Sequence, residues 1–391
     1  MTAASTLTHV LILGAGRIGE TIATMLCGGG YRVTIADRDR DRLAALVRND
    51  LATLELDIRD RPALLAAMRG HHAVLNALPF SAAEQVAGVA VECDVHYFDL
   101  TEDVAATRAI RALAANARSV LMPQCGLAPG FVGIVAHDLA RRFETLADLR
   151  MRVGALPRYS RNALKYNLTW STEGLINEYC NPCETIVDGE RITVPALEGY
   201  ESFALDGVTY EAFNTSGGLG TLCETLAGKV KHLDYKSIRY PGHRDIVKLL
   251  LDDLRLRDRR DLLKEIFETA IPSTQQDVVI VFVTAAGRQH GRFVQESFLT
   301  QVHGRALDGT HFSAIQLTTA AGICAALDLV KAGKLPQSGF VRQEDVRLTD
   351  LMTSRFGTYF ETQPHDRGTA AESARMVPAP EPVPWRVKGE G

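Results

Sequence analysis

The sequence predicts an α/β protein, a doubly wound parallel Rossmann sheet followed by a second α+β domain with a mixed sheet. Three observations carry this prediction. Up to Cys125, short apolar runs alternate with helical patterns, the signature of parallel strands joined by helical crossovers. A glycine-rich turn directly follows the first of those runs. Beyond Cys125 the runs lengthen and alternate apolar with polar residues, as strands of a mixed or antiparallel sheet do.

Taken in order, His9–Leu13 reads as a buried strand, then a glycine turn, a helix at 19–26, a strand at 32–36 and a helix at 40–48. Further strands are expected at 53–56, 73–78, 96–99 and 119–122. Gly126-Leu-Ala-Pro-Gly130 is a loop opening a helix at 131–142. Strands follow at 149–155, 164–170, 202–205, 232–238 and 278–285, with another within 289–302. Helices rich in Leu and charge are expected at 245–255 and 259–268. Residues 313–332 form a small-residue helix, stopped by Gly333 and so apolar that it needs a partner. The expected domains are a dinucleotide-binding unit at 1–125, a substrate-binding and dimerisation unit at 126–310, a segment at 311–361 returning to the first unit, and a Pro-rich, disordered tail at 362–391.

A formal charge of −4 offers no basic field to nucleic acid or to an anionic membrane, so recognition must come from a local site. Seven cysteines in 391 residues form no dense disulfide framework and point to a reducing compartment. The apolar start is too short for a signal or membrane segment, and a cytoplasmic protein is expected. Cys180-Asn-Pro-Cys183 has zinc-ligand spacing but no second ligand pair, so no metal is expected.

The strongest motif is Val10-Leu-Ile-Leu-Gly14-Ala-Gly16-Arg17-Ile18-Gly19. It follows an apolar strand, opens a helix, and precedes a second strand ending in Asp37, the context a dinucleotide fingerprint demands. Gly14 permits the tight turn, Gly16 lets the backbone approach the pyrophosphate, and Gly19 lets helix and strand pack closely. The helix N-terminus offers its free N–H groups to the phosphates. Asp37 is placed to accept hydrogen bonds from the adenosine ribose and to repel a 2′-phosphate, which favours NAD over NADP. Arg38 argues the other way. Asp57 and Ile58 follow the third strand, where the adenine edge would lie. Asn76, Ala77 and Pro79 end the fourth, beside the expected cofactor path. Singly, each of these segments is equally readable as turn chemistry.

Gly126-Leu-Ala-Pro-Gly130, Leu164-Lys-Tyr-Asn-Leu-Thr-Trp-Ser-Thr-Glu-Gly174, Asn177-Glu-Tyr179, Pro182-Cys-Glu184 and Tyr240-Pro-Gly-His-Arg244 resemble segments of the saccharopine dehydrogenase superfamily. The likeness runs over about residues 9–350 and is greatest to bacterial L-lysine 6-dehydrogenases. It implies a Rossmann domain, a mixed-sheet domain shaping the substrate site, a symmetric dimer or tetramer, and hydride exchange at a carbon bearing nitrogen. The lysine branch favours NAD, in agreement with Asp37. The implied reaction is oxidative deamination of the ε-amine of L-lysine to a semialdehyde that cyclises. Saccharopine and carboxynorspermidine dehydrogenases are the enzyme alternatives, with Arg158 or Arg161 as a second carboxylate anchor. A silent NAD(H) sensor is the alternative without chemistry.

Such a reaction needs a proton acceptor and an anchor for the far carboxylate. Arg244 is the expected anchor, with His243 beside it, although a surface ion pair would also explain Arg244. Asp99, ending a strand toward the nicotinamide, is a candidate base or amine-steering group, competing with Glu102 and Asp103. Cys125 either touches the nicotinamide or is a small buried residue. Lys165 is a further catalytic candidate. Tyr166 and Trp170, on one face of an expected strand, either wall the aliphatic stem of the substrate or pack in the core. Thr215 opens a Gly-rich, hydroxyl-bearing loop suited to a substrate charge or to a turn.

Overall fold

The computed structural model describes residues 7–46 and 48–362; the Pro-rich tail expected from 362 onward lies, from 363, outside the described residues. The strands of the first sheet are β1 (His9–Leu13), β2 (Arg32–Asp37), β3 (Leu51–Glu55), β4 (Ala73–Asn76), β5 (His96–Asp99) and β6 (Val120–Met122). Every pairing among them is parallel, in the order β6-β5-β4-β1-β2-β3. The order reverses between β1 and β4, which opens a crevice at the carboxyl ends of those two strands. Val10, Leu11, Ile12 and Leu13 of β1 are fully buried. Each such side chain contributes about 1.5–3 kcal/mol by leaving water, which is why an unbroken apolar run becomes the central strand.

The helices of this half are α1 (Arg17–Gly28), α2 (Arg40–Ala45), α3 (Arg61–Met68), α4 (Ala83–Glu92) and α5 (Val104–Ala114). Asp39, Asp60 and Asp103 cap α2, α3 and α5 with their side chains. Helix α1 differs, for its N-cap is Gly16 and no side chain caps it.

Helix α6 (Phe131–Ala140) leads into the second sheet, made of β7 (Thr145–Pro157), β8 (Cys183–Val187), β9 (Glu190–Val194), β10 (Glu201–Leu205), β11 (Val208–Asn214), β12 (Val230–Arg239), β13 (Asp277–Gln289) and β14 (Arg292–His303). Its main path is β10-β11-β12-β7-β13-β14, with β12 and β7 parallel and the other pairs along that path antiparallel. The further helices of this half are α7 (Thr172–Cys180), α8 (Leu222–Leu226), α9 (His243–Lys248) and α10 (Arg260–Ala270).

A small hairpin of β15 (Arg305–Leu307) and β16 (Thr310–Phe312) precedes α11 (Ala314–Lys331). Helix α11 packs on α1, and β17 (Gly339–Phe340) then adds a seventh parallel strand beside β6. α11 is long and apolar enough to cross a membrane by composition alone, and here 83% of it is buried inside the fold. It joins both sheets, since Ile12, Phe131, Val281 and Leu317 belong to one core. Helix α12 (Leu348–Met352) closes the described chain near its end.

One expected strand is absent. Residues 164–170 form a loop carrying a single isolated bridge, Leu168 to Ser273. Lys165 takes a left-handed φ of +50°, and the Asn162 side chain holds both the N–H and the C=O of Tyr166. Those local bonds replace a strand ladder, so Tyr166 and Trp170 do not share a strand face.

Candidate active site

A cleft of about 770 Å³ lies between the two sheets. Its floor comes from the first domain: Gly16–Gly19 of the glycine turn, Ala77–Phe80 after β4, Leu100–Glu102 after β5, and Gly126–Pro129 after β6. Its roof comes from the second domain. Val153 and Ala155 on β7, and Tyr235, Ser237 and Arg239 on β12, point into it at the two-residue period of a strand. Thr169–Glu173, Glu178, Lys264 and Glu268 form one wall, and Ile315, Gln316 and Thr319 of α11 form another.

The floor fits a dinucleotide. A Cβ built on Gly16 would meet nothing within 4 Å, so the space above it is left open by the protein itself. At Gly19 a Cβ would sit 1.9 Å from the Gly14 carbonyl oxygen, which would drive α1 off β1. Gly14 has φ +102°, a conformation suited to glycine. The uncapped N-terminus of α1 therefore faces the cleft with its N–H groups free for phosphate oxygens. Asp37 ends β2, where its carboxylate accepts the Ala15 N–H at 2.7 Å and the Asp39 N–H at 2.9 Å.

The roof carries the charge. Arg239 is 3% exposed. Its Nε donates to the Tyr179 hydroxyl at 2.8 Å, Nη1 to the Ile238 carbonyl at 2.9 Å, and Nη2 to Glu178 at 3.4 Å. The rings of Tyr166 and Tyr179 lie 5.2 and 5.6 Å from the guanidinium carbon. Burial raises the Glu178 carboxyl to about 7; Arg239 opposes the shift and Glu102 adds to it. Burial raises Glu102 as well. At the mouth, Lys264 is tied to Glu173 at 2.5 Å.

Residues 10–122 match the model of the saccharopine dehydrogenase NADP binding domain, and residues 126–357 match that of the saccharopine dehydrogenase C-terminal domain. The chain belongs to the saccharopine dehydrogenase family. With it comes a nicotinamide cofactor for the first domain. The structure is similar to that of apo saccharopine dehydrogenase (L-Glu forming) from Saccharomyces cerevisiae, with a TM-score of 0.74 and 17% identity, covering 90% of this chain and 98% of that one. A curated relative is the mitochondrial alpha-aminoadipic semialdehyde synthase of Rattus norvegicus, 22% identical over 199 residues. That match spans 49% of this chain and 22% of the relative's length.

Of the residues singled out in sequence, Gly16, Arg17, Ile18, Gly19, Ala77, Pro79, Glu102 and Trp170 line the cleft of this family member. Gly14 and Asp37 support its edge from the turn and from β2. Arg38 is exposed. Asn76 is buried beneath the floor, bonded to the Tyr97 hydroxyl and the Leu78 N–H. Asp57 is paired with Arg59, and Ile58 gives its carbonyl to Gln85; neither residue lines the cleft.

The catalytic expectations fare differently. Asp99 is 1% exposed and lies under the floor, where it accepts from Thr101 N–H, Gln124 N–H and the Tyr97 hydroxyl. Burial raises its carboxyl to about 6 against those bonds. Asp99 thus ties together two of the floor's loops, those after β5 and β6. Cys125 is buried with Sγ 3.1 Å from the Met122 carbonyl, and burial pushes its thiol well up, the reverse of an activated thiolate. Lys165 lies outside the cleft, its ammonium on the Pro241 carbonyl.

Arg244 is also off the cleft, occupied by Leu197 O, Glu198 and Asp245. His243 and Tyr166 are fully packed, and they reach the site only through Tyr179 and Arg239. Thr215 is buried behind Ser237, 2.7 Å from its hydroxyl. Arg239, Ser237 and Lys264 were not singled out in sequence, and Glu178 stood only within the Asn177-Glu-Tyr179 segment, with no role given to it. The expected strand at 232–238 stopped one residue short of Arg239. Continuing its alternation through Tyr235 and Ser237 would have placed Arg239 on the inward face.

Proposed function

We propose that this chain oxidises the ε-carbon of L-lysine with NAD and releases ammonia, with Arg239 rather than Arg244 holding the substrate carboxylate. The observation that carries the reading is the charge of the roof. Arg239 and Lys264 are its cations, against Glu173, Glu178 and Glu268, and Glu102 faces them from the floor; the floor's own cations, Arg17 and Arg42, stand at the start of α1 and on α2. Lys264 is already tied to Glu173. Such a surface suits a ligand with one carboxylate and more than one amine. Saccharopine, with three carboxylates, would meet repulsion from the remaining carboxylates.

A nicotinamide nucleotide held by the Gly14–Gly19 turn would supply the hydride acceptor for the ε-carbon. The rest falls to the chain. Arg239 offers a guanidinium in a fixed plane, which orients the carboxylate and so the far amine. Glu102, on the loop after β5, borders the nicotinamide end of the cleft. It accepts a proton from the ε-ammonium and loses it to solvent after hydride transfer; it then takes a proton from the attacking water and returns it to the amine nitrogen, which leaves as ammonia. Trp170, Val153 and Ala155 supply apolar surface for the methylene stem. Asp37 supports NAD, since its carboxylate would repel a 2′-phosphate; Arg42 on the cleft wall is the residue that would pair with one.

The test is reduced-cofactor formation by purified protein offered L-lysine or saccharopine, each with NAD or NADP. Turnover of L-lysine with NAD, with stoichiometric ammonia, is expected. Turnover of saccharopine with glutamate release would overturn the substrate assignment. Arg239→Ala is expected to raise KM for L-lysine by 30-fold or more, from about 2–3 kcal/mol of lost charge-assisted bonding, with the Kd for NADH unchanged.

A further inference from the structure

We propose that Glu178 receives the α-ammonium of the substrate, so that Glu178 and Arg239 together clamp a zwitterionic α-amino-acid head. This rests on the reading that Arg239 holds the substrate carboxylate. Glu178 projects from α7 into the cleft with its side chain 12% exposed. One of its oxygens meets Arg239 at 3.4 Å, a long contact for an ion pair of this burial. Its other oxygen has no hydrogen-bond partner among the described residues. Arg239 is in a similar state, because Nε and Nη1 are satisfied by Tyr179 and Ile238 while Nη2 has only the long contact.

A buried ion pair is favourable only when its remaining hydrogen-bonding capacity is filled. Here the pair faces a cleft rather than a packed core, so its remaining capacity is open to water in the free cleft and to a ligand that displaces that water. A simple carboxylate would satisfy Arg239 but would be repelled by Glu178 beside it. A simple diamine would satisfy Glu178 and be repelled by Arg239. The two receptor groups are adjacent, so the two ligand charges must be adjacent too. An α-amino acid carries its ammonium and carboxylate on one carbon. The pair therefore selects for the head of an amino acid, and leaves Glu102 to serve the distal amine.

The experiment compares L-lysine with 6-aminohexanoate, which lacks the α-amine, and with pentane-1,5-diamine, which lacks the carboxylate. KM is measured where turnover occurs. Kd is measured by tryptophan fluorescence in the presence of NADH for all three, so that a ligand that does not react is still informative. Glu178→Gln should weaken L-lysine on the order of 10- to 100-fold, the range for one hydrogen bond to a charged group, while 6-aminohexanoate, relieved of the repulsion, should bind no more weakly than before. An equal effect on both ligands, or none on L-lysine, would overturn the clamp. Glu178→Asp, which keeps the charge, should recover part of the loss, and an unaltered Kd for NADH shows that the variants are folded. Failure of the underlying anchor reading looks different. In that case Arg239→Ala would weaken pentane-1,5-diamine as much as L-lysine.

Discussion

His243, Tyr179 and Arg239 form a chain with one direction. His243 Nδ1 lies 2.8 Å from the Leu164 carbonyl, so it must carry the hydrogen. Nε2 then accepts from the Tyr179 hydroxyl at 2.9 Å, whose oxygen accepts from Arg239 Nε. A protonated His243 would break this order beside a buried guanidinium. Burial, with Arg239 adding to it, depresses its pKa to about 3. The folded state therefore takes up this proton less readily than the unfolded chain, and the stability linked to it is present above pH 6.5 and lost as pH falls toward 3. His243→Gln should flatten that part of the acid limb in pH-dependent urea unfolding; an unchanged limb would count against the neutral tautomer. For activity the sign is set by Glu178, which faces Arg239 and feels the charge of Glu102. Protonation removes its charge, so kcat/KM for L-lysine should fall below about pH 7; Glu178→Gln should remove that part of the acid limb and leave the part set by Glu102. At this scale the glycines and Asp37 were legible in sequence because backbone geometry demands them. Arg244 and Arg239 lie only five residues apart, and only the strand's inward face separates the residue on the cleft from the one on the surface.

Elements set how precisely these residues are held. Helix α11 passes so close to the floor that a Cβ on Gly322 would lie 2.5 Å from the Cys125 carbonyl and 2.8 Å from that of Gly126. Gly322→Ala should thus separate α11 from the loop after β6. We expect a loss of about 1–3 kcal/mol, as for overpacking in a core, together with weaker NADH binding, readable by thermal unfolding and fluorescence titration. Asp277 holds the start of the same helix, its two oxygens accepting from Ala314 and Ile315 N–H at 2.6 and 3.0 Å. Asp277→Ala should cost about 1–2 kcal/mol, the range for a lost helix cap. The strand alternation and the apolar α11 were plain in the sequence. The β8–β9 hairpin was passed over, although Asp188-Gly189 between its strands, both residues with positive φ, is a strong hairpin signal. Residues 164–170 misled for the opposite reason: aromatic and apolar content resembled a strand, whereas Asn162 and the φ of Lys165 fix a loop.

The whole molecule places a cofactor floor from one sheet under a substrate roof from another, with α6 and α11 filling the shared core. Ligands that bind both faces should stabilise the pair as a unit. NADH at 100 times its Kd is expected to add about 2.7 kcal/mol to unfolding free energy, and L-lysine analogues should add to that only when the nucleotide is present. The fold class was legible because two hydrophobic periods succeed each other along the chain. The roof was not, because it is assembled from β7, β12, α7, α10 and α11, which are distant in sequence and meet only when folded. The central claim, that the ε-carbon of L-lysine faces the nicotinamide while its α-amino-acid head lies at Arg239 and Glu178, is tested most directly by following deuterium. L-Lysine deuterated at the ε-carbon should deliver its label to C4 of the reduced nicotinamide, and L-lysine deuterated at the α-carbon should deliver none. Label arriving only from the α-carbon, or from neither, would contradict the account.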